Sequence, residues 1–515
     1  MPEALRAVPC AASGTRVERV LTQHPLATVF VLAFCIRALN VTLLRGDGSF
    51  FAEPDASTYW ALGAALAKRD GFWPALMAMT DRMPLYPLLL AAIRNIAGDS
   101  PRAAALVQAL IDAGTCTLIA ALGTLISPAV GLVAGVLAAV SITLIVLSSQ
   151  MLTDTPFLFL FTLMLYASAR FLLRPSSVLS LIAGLAGGLS IAVRPGALLL
   201  LTAAVPVVFI VARVRSKRLG AAFAATLLFA IGAAAPIAPI LGRNMIHYRT
   251  LSLTAQTGTH FAFWIVPLAI ERANGTPYQQ SVDRLQALYK ARLSEHDASF
   301  AADPFRRAAL LAQIGREEMA QVPPLAIVKA WLEGMIVNFG APALLDDPRV
   351  RALPKPSYYA TPGGSLWQKA SAYLFDDPGL FQALMLAGLA GMLLFLVLEA
   401  IGFVMLAQTL PWAAALAAAV LVYFSLLNGP VIGPKYRLPM EPILILLAAI
   451  PLVPLVPKSG AYSRKVRSDR AAQSVSSLPS CGGGQGRVVG VVPRGASLTP
   501  TPNPSPQGGG EPVDS

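Results

Sequence analysis

Charge is scarce in this 515-residue chain: 13% of its residues are Asp, Glu, Lys or Arg, against about 25% in ordinary soluble domains. So little charge cannot cover the surface of a large protein that faces water on every side. Cysteine is scarcer still. The four, Cys10, Cys35, Cys116 and Cys481, fall into no metal or disulfide spacing, which removes zinc modules and disulfide scaffolds. Cys35 and Cys116 lie inside apolar runs and read as small hydrophobic residues. Histidine also numbers four, and the isolated His247 and His260 do not make a metal site. A small-residue cleavage site is missing after the first apolar run, so no cleavable signal peptide is expected.

What the chain has in excess is apolar sequence, 55% of all residues, gathered into runs near the about 20 residues that cross a bilayer as a helix. Inside hydrocarbon every backbone N–H and C=O must bond within the protein, which leaves helices or a closed barrel. The runs are rich in Leu and Ala without strict alternation, so they read as helices. The expected fold is an all-α polytopic membrane protein. The spans are placed at 26–44, 102–125, 128–147, 155–173, 178–193, 195–212, 219–241, 380–398, 403–427 and 438–456. Residues 1–25 form a polar N-terminal segment. A first outer loop, 45–83, contains an amphipathic helix over Asp55–Lys68. Residues 242–379 form a large polar region with helix-like pieces at 304–320 and 324–338. The Gly-, Ser- and Pro-rich end, 457–515, has too little apolar sequence to fold.

The formal net charge is +13. A basic excess can signal nucleic acid, but here the basic residues stand in short loops beside apolar spans, as cytoplasmic loops do. No nucleic-acid partner is expected. Arg213, Arg215, Lys217 and Arg218 form the densest basic loop; with Arg170, Arg174 and the basic tail they should face the cytoplasm. All three agree if both termini are cytoplasmic and the apolar stretch 84–98 does not cross. That stretch therefore reads as interfacial or re-entrant, giving about ten spans. The first loop and the region 242–379 then share the outer face of the cytoplasmic (inner) membrane.

The outer ends of the spans carry the unusual residues. Asp55 lies in EPDASTYW and Asp154 in SSQMLTDTPFLFL. Arg82 precedes a PLYP turn, Arg194 stands in AVRPGALLLL, Arg243 in GRNMIHY, and Lys435 and Arg437 in GPKYRLPMEP. Ionisable groups at membrane depth are costly and default to functional candidates. Each also has a plainer reading. Asp55 and Asp154 can cap helix N-termini, Arg194 can snorkel to the interface, and Lys435 and Arg437 can anchor the last span. Asp112, inside a span, reads as structural, paired with a polar group on a neighbouring helix. Together, two acids and several cations on one membrane face suit chemistry on a lipid-linked phosphate: cations hold the phosphate and a carboxylate takes a proton from a hydroxyl.

An ordered series of segments carries a family resemblance. It runs from PDASTY through RMPLYPLLLA, RAAALVQALIDAGTCTLIAALG, SSQMLTDTPFLFLF, AVRPGALLLL and GRN to KYRLPMEPILILLAA. The chain resembles the family 39 glycosyltransferases of the GT-C superfamily, which include protein O-mannosyltransferases and the bacterial lipid A aminoarabinose transferase. The likeness covers about 26–456 and is faintest over 250–379. It implies a GT-C-type helical bundle with an outer-face loop domain. It also implies inverting transfer of a sugar from a polyprenyl-phosphate donor to an acceptor hydroxyl on a glycan, a lipid or a protein. Asp55 matches the acid that acts as base, with Glu53 and Asp47 close enough to compete for the role. Asp154 matches the second acid. The lipid phosphate would be held by cations drawn from Arg82, Arg194, Arg243, Lys435 and Arg437. No cofactor is implied, and because the family's need for metal varies, a divalent ion stays open. Two other classes compete: a transporter or lipid flippase, which would show internal repeats and a midplane site, and a relative that has lost activity.

Overall fold

The computed structural model describes residues 24–354, 366–376 and 378–453. Most of the N-terminal segment and all of the 457–515 tail lie outside the described residues. Among the described residues every regular element is a helix. Six helices are long and apolar enough to cross a membrane, and three bent helix pairs pass the same test together. The chain is a multi-pass membrane protein.

The first half follows the apolar runs. Helix α1 is Pro25–Leu43, α2 is Pro54–Ala67 and α3 is Leu85–Ala97. At 13 residues, α3 is about 20 Å long, well short of the about 30 Å hydrocarbon core. Helix α4 is Pro101–Thr124. The run 128–147 is broken into α5, Pro128–Val140, and α6, Ile142–Ser148, bent by 50°. Next come α7 (Asp154–Leu173), α8 (Ser177–Val193) and α9 (Leu198–Ser216). The run 219–241 is also bent, by 59°, into α10 (Leu219–Ala234) and α11 (Ala238–Tyr248). Serine followed by proline starts two of these helices: Ser100 and Ser127 accept from the N–H groups of Ala103 and Val130, with Pro101 and Pro128 filling positions that need no donor.

The break at Ser141 has a visible cause. It takes the carbonyls of Ala138 and Ala139 out of the regular helix pattern; Ala138 O accepts from Ser141 N–H at 3.3 Å, and the Arg37 guanidinium on α1 donates to both carbonyls, at 3.0 and 2.7 Å. The same guanidinium meets Asp112 at 2.5 Å and Cys116 Sγ at 3.2 Å. Asp112 thus has the structural role expected of it, and a fully buried arginine satisfies the backbone that an interrupted span exposes. Elsewhere small residues let helices touch. A Cβ on Gly184 or Gly188 of α8 would come within 2.2 or 2.4 Å of carbonyl oxygens on α10.

The region 242–379 is more helical than a loop domain. It holds α12 (Gln256–His260), α13 (Val266–Asn274), α14 (Tyr278–Leu293), α15 (Pro304–Met319) and α16 (Pro324–Gly340). Val266, Ala269, Ile270, Leu285, Leu310 and Ile314 give it a core of its own. One boundary needs correction. The spans expected at 380–398 and 403–427 divide later: α17 runs unbroken over Leu380–Thr409, and α18 covers Pro411–Asn428. Glu399 and Gly402, which suggest a break in sequence, are both buried inside α17. The last span opens with a 3-10 segment, Pro434–Met440, and continues as α19, Glu441–Leu452.

Candidate active site

The site is built around the first turn of α2. Glu53 is its N-cap residue, Pro54 begins the helix and Asp55 follows. Neither carboxylate caps the helix. A hydrogen-bonded frame fixes this strand of chain. Gln150 accepts from Ala52 N–H at 3.1 Å and donates to Ser49 O at 3.1 Å, and Met151 N–H donates to Phe50 O at 3.0 Å. Behind it, the buried Tyr86 hydroxyl donates to Gln108, which donates in turn to the carbonyls of Ser148 and Gln150. Tyr59 packs edge-on against Tyr86.

Three ion-paired groups meet here. Arg82 binds Asp55 Oδ1 at 3.0 Å; the Asp55 side chain is 49% exposed and Arg82 13%. Asp55 Oδ2 has no partner among the described residues. Arg194, the residue that ends α8, binds Asp154 Oδ1 at 2.8 Å, with Asp154 only 5% exposed. The capping reading of Asp154 is not realised: it occupies the first turn of α7, but Arg194 holds it and no side-chain cap forms there. The third group is centred on Glu53, whose oxygens receive Lys435 at 2.7 Å and Arg351 at 2.5 Å. Arg351 also binds Asp346 at 2.8 Å and the carbonyl of Ala52 at 2.8 Å.

Burial alone would push the Glu53 carboxyl up; the hydrogen bonds and charges of Lys435 and Arg351 outweigh it and hold it below the ordinary carboxylate range. The Lys435 ammonium lies in the fields of Tyr436, Glu53 and Asp154. Asp346 shows the opposite balance: burial, helped by Glu53, exceeds the pull of Arg351 and raises it. The groups also act on one another across the site. Tyr436 lies in the fields of Lys435, Arg194, Asp154 and Asp55, and His260 in those of Arg194 and Asp55. Burial first, then Arg194, lowers the pKa of His260.

Five of the seven residues singled out in sequence therefore come together: Asp55, Asp154, Arg82, Arg194 and Lys435. Arg243 and Arg437 do not join them. Arg243 sits inside α11, where it donates to the carbonyls of Leu76 and Met79 at 2.9 and 2.7 Å and to Asn244 at 2.8 Å, tying the first loop to a helix. Arg437 is buried; it pairs with Glu441 at 2.7 Å and donates to Phe339 O at 2.9 Å and Thr143 Oγ1 at 3.3 Å. Arg437 spends its donors on the protein and Arg243 its Nε and Nη1, so both act as braces. Asp47 lies exposed in a 3-10 turn. Arg351 and His260 join the site without a sequence signal strong enough to mark them.

No curated protein matches the chain. Among solved structures it is similar to ArnT from Cupriavidus metallidurans, solved bound to undecaprenyl phosphate, with 14% identity, 89% of this chain and 81% of that chain covered, and a TM-score of 0.35. Residues 81–241, the stretch that carries Arg82, Asp154 and Arg194, match the model of the dolichyl-phosphate-mannose-protein mannosyltransferase family.

Proposed function

We propose that the chain is a GT-C-type membrane glycosyltransferase. It moves a sugar from a polyprenyl-phosphate donor to an acceptor hydroxyl, with inversion, on the outer face of the inner membrane. The observation that carries this reading is the pairing of cations with carboxylates at the span ends: Arg82 with Asp55, Arg194 with Asp154, and Lys435 with Glu53. The family match over 81–241 supports the class of reaction. The gathering of Asp55, Asp154 and Arg194 at helix ends favours it over a transporter with a midplane site.

The chemistry needs a base for the hydroxyl and a positive surface for the leaving phosphate. Asp55 fits the base. It is half exposed and keeps one oxygen open. Asp154 is buried and Glu53 is held by two cations, so both suit supporting roles. In the transfer the acceptor oxygen bonds to the sugar's anomeric carbon as the carbon–oxygen bond to phosphate breaks. The hydroxyl proton passes to Asp55, and the electron pair leaves with the lipid phosphate. Arg82, Arg194 and Lys435 would face that phosphate. Arg82 Nε is buried without a hydrogen-bond partner among the described residues, a donor that a phosphate oxygen would satisfy. A phosphate drawing Arg82 toward itself would also loosen the Asp55 pair, readying the base when the donor arrives.

The test is incubation of purified protein with a panel of polyprenyl-phosphate sugars and an envelope extract as acceptor. Release of polyprenyl phosphate that depends on Asp55 supports the reading. No release with any donor, together with movement of a lipid-linked sugar across vesicles, would replace it with the flippase alternative.

A further inference from the structure

Helix α16 belongs to the region that sequence assigns to the outer side, yet it carries a face that water does not suit. Leu325, Val328, Leu332 and Ile336 are 79%, 53%, 52% and 72% exposed. Their spacing of three, four and four residues draws one stripe along a helix. Large apolar side chains exposed in a continuous row mark an interaction surface, where scattered ones would not. Lys329, exposed and 3.9 Å from Glu333 one turn on, stands beside the stripe, as a charged residue at a membrane surface does.

The opposite face, Ala330, Gly334 and Asn338, is buried, and it grips the chain leading to Lys435. Trp331 Nε1 donates to Leu426 O at 3.2 Å, at the end of α18. Gly334 lies so close to the Gly429 carbonyl that a Cβ would come to 2.5 Å. Asn338 donates to Val431 O at 2.9 Å and accepts from Gly433 N–H at 2.9 Å. These contacts are with the last turn of α18 and the turn after it, and α16 meets α15 at a bend of 112°, so the two do not form one straight span. Val422 and Leu426 of α18 are exposed as well, at 55% and 60%, and Trp331, next to Leu332 of the stripe, bonds the Leu426 carbonyl, so the exposed face of α16 lies at the end of a span whose own side chains are exposed.

We infer that α16 lies in the plane of the bilayer, with Leu325, Val328, Leu332 and Ile336 among the acyl chains of the leaflet on the active-site side, and that this contact sets the depth of the 429–433 turn and of Lys435 behind it. The inference rests on the membrane fold and not on the transferase reading, and its test uses no turnover.

Full-length protein, with its native cysteines replaced by serine, is reconstituted into phosphatidylethanolamine–phosphatidylglycerol vesicles. Spin labels are placed at Leu325→Cys, Leu332→Cys and Ile336→Cys, with Arg306→Cys on α15 as the exposed comparison. Collision with oxygen, which concentrates in lipid, should exceed collision with a water-soluble nickel chelate several-fold at the three stripe positions and fall below it at Arg306. Equal nickel access at all four would put the stripe in water. Protection from both probes would mean that a second copy or another protein covers it. Either result overturns the inference. For the second half, a label at Ile432→Cys should shift toward water when Asn338→Ala is added. An unchanged depth would break the link between the helix and the Lys435 turn.

Discussion

Replacing Asp55 with Asn should separate turnover from folding, and replacing Asp154 with Asn should not. The Asp55–Arg82 pair is half exposed on its acid side, and exposed ion pairs are worth about 0–1 kcal/mol. Asn keeps the shape and can still accept from Arg82, so the stability change should be at the low end. The chemical cost is larger. Without a base the acceptor hydroxyl loses the about 10²–10⁴-fold that general-base catalysis supplies, or at least about 2.7 kcal/mol of barrier. Asp154 reverses the pattern. Its side chain is 5% exposed and bound to Arg194 at 2.8 Å. Breaking a buried pair costs about 3–5 kcal/mol, and because Arg194 is 32% exposed the lower end applies. Thermal unfolding in detergent and release of polyprenyl phosphate would be measured on the same preparations. Asp55→Asn should unfold within a degree or two of wild type and turn over at least about a hundredfold more slowly. Asp154→Asn should unfold measurably earlier. If Asp55→Asn stays within a few-fold of wild-type turnover, the base is another acid. If it unfolds as early as Asp154→Asn, Asp55 is a structural residue.

Lys435→Ala should weaken donor binding about tenfold or more, the scale of one hydrogen bond from a charged group, while the fold holds because Glu53 keeps Arg351; unchanged donor affinity in an active variant would leave Lys435 as an anchor only. His260 should make the fold acid-sensitive. Its folded pKa is lowered by burial and Arg194, so the unfolded chain binds more protons once pH falls below the ordinary histidine value of about 6.5, and stability is lost through that window. His260→Gln should flatten the melting-temperature profile there, and a profile identical to wild type would refute the assignment. For orientation, Gly220→Cys, at a helix start with open space around it, should be labelled only from the cytoplasm and the exposed Ser294→Cys only from outside. Labelling from one side would undo the shared face of Asp55 and Asp154.

Most spans were legible because twenty-odd apolar residues have few fates in a chain with so little charge; the runs at 178–193 and 438–456 form shorter helices, of 17 and 12 residues. What sequence could not see is where backbone is broken or left whole. Glu399 and Gly402 look like the end of a span. In the structure Glu399 lies within the fields of Arg437 and Glu441, and Gly402 lets α17 approach the Leu447 carbonyl so closely that a Cβ would come to 1.9 Å. Pro411 makes the real break, at the first turn of α18. Conversely the run 128–147 reads as one uninterrupted helix, and its interruption at Ser141 is made tolerable by Ser141, which caps the next helix, and by Arg37, reaching from another span.

The site was half legible for a related reason. An acid or a cation at a span end is visible in one dimension, but its partner is not. Arg243 and Arg437 have the same sequence setting as Arg194, and what sets them apart is that carbonyls and a carboxylate of their own surroundings take up their donors. Glu53 and Asp55 are two residues apart and equally plausible as bases in sequence. Their difference arises from Arg351, 298 positions from Glu53, and from Lys435, 382 positions away. These two cations converge on Glu53, hold its pKa down and leave the neighbouring Asp55 with a single arginine and an open oxygen. On the proposed reading, the choice of base is thus made by residues from the 242–379 region and from the last span. A substitution at Arg351, far from Glu53 in sequence, would remove one of the two cations that hold Glu53 down while leaving the segment EPDASTYW unchanged.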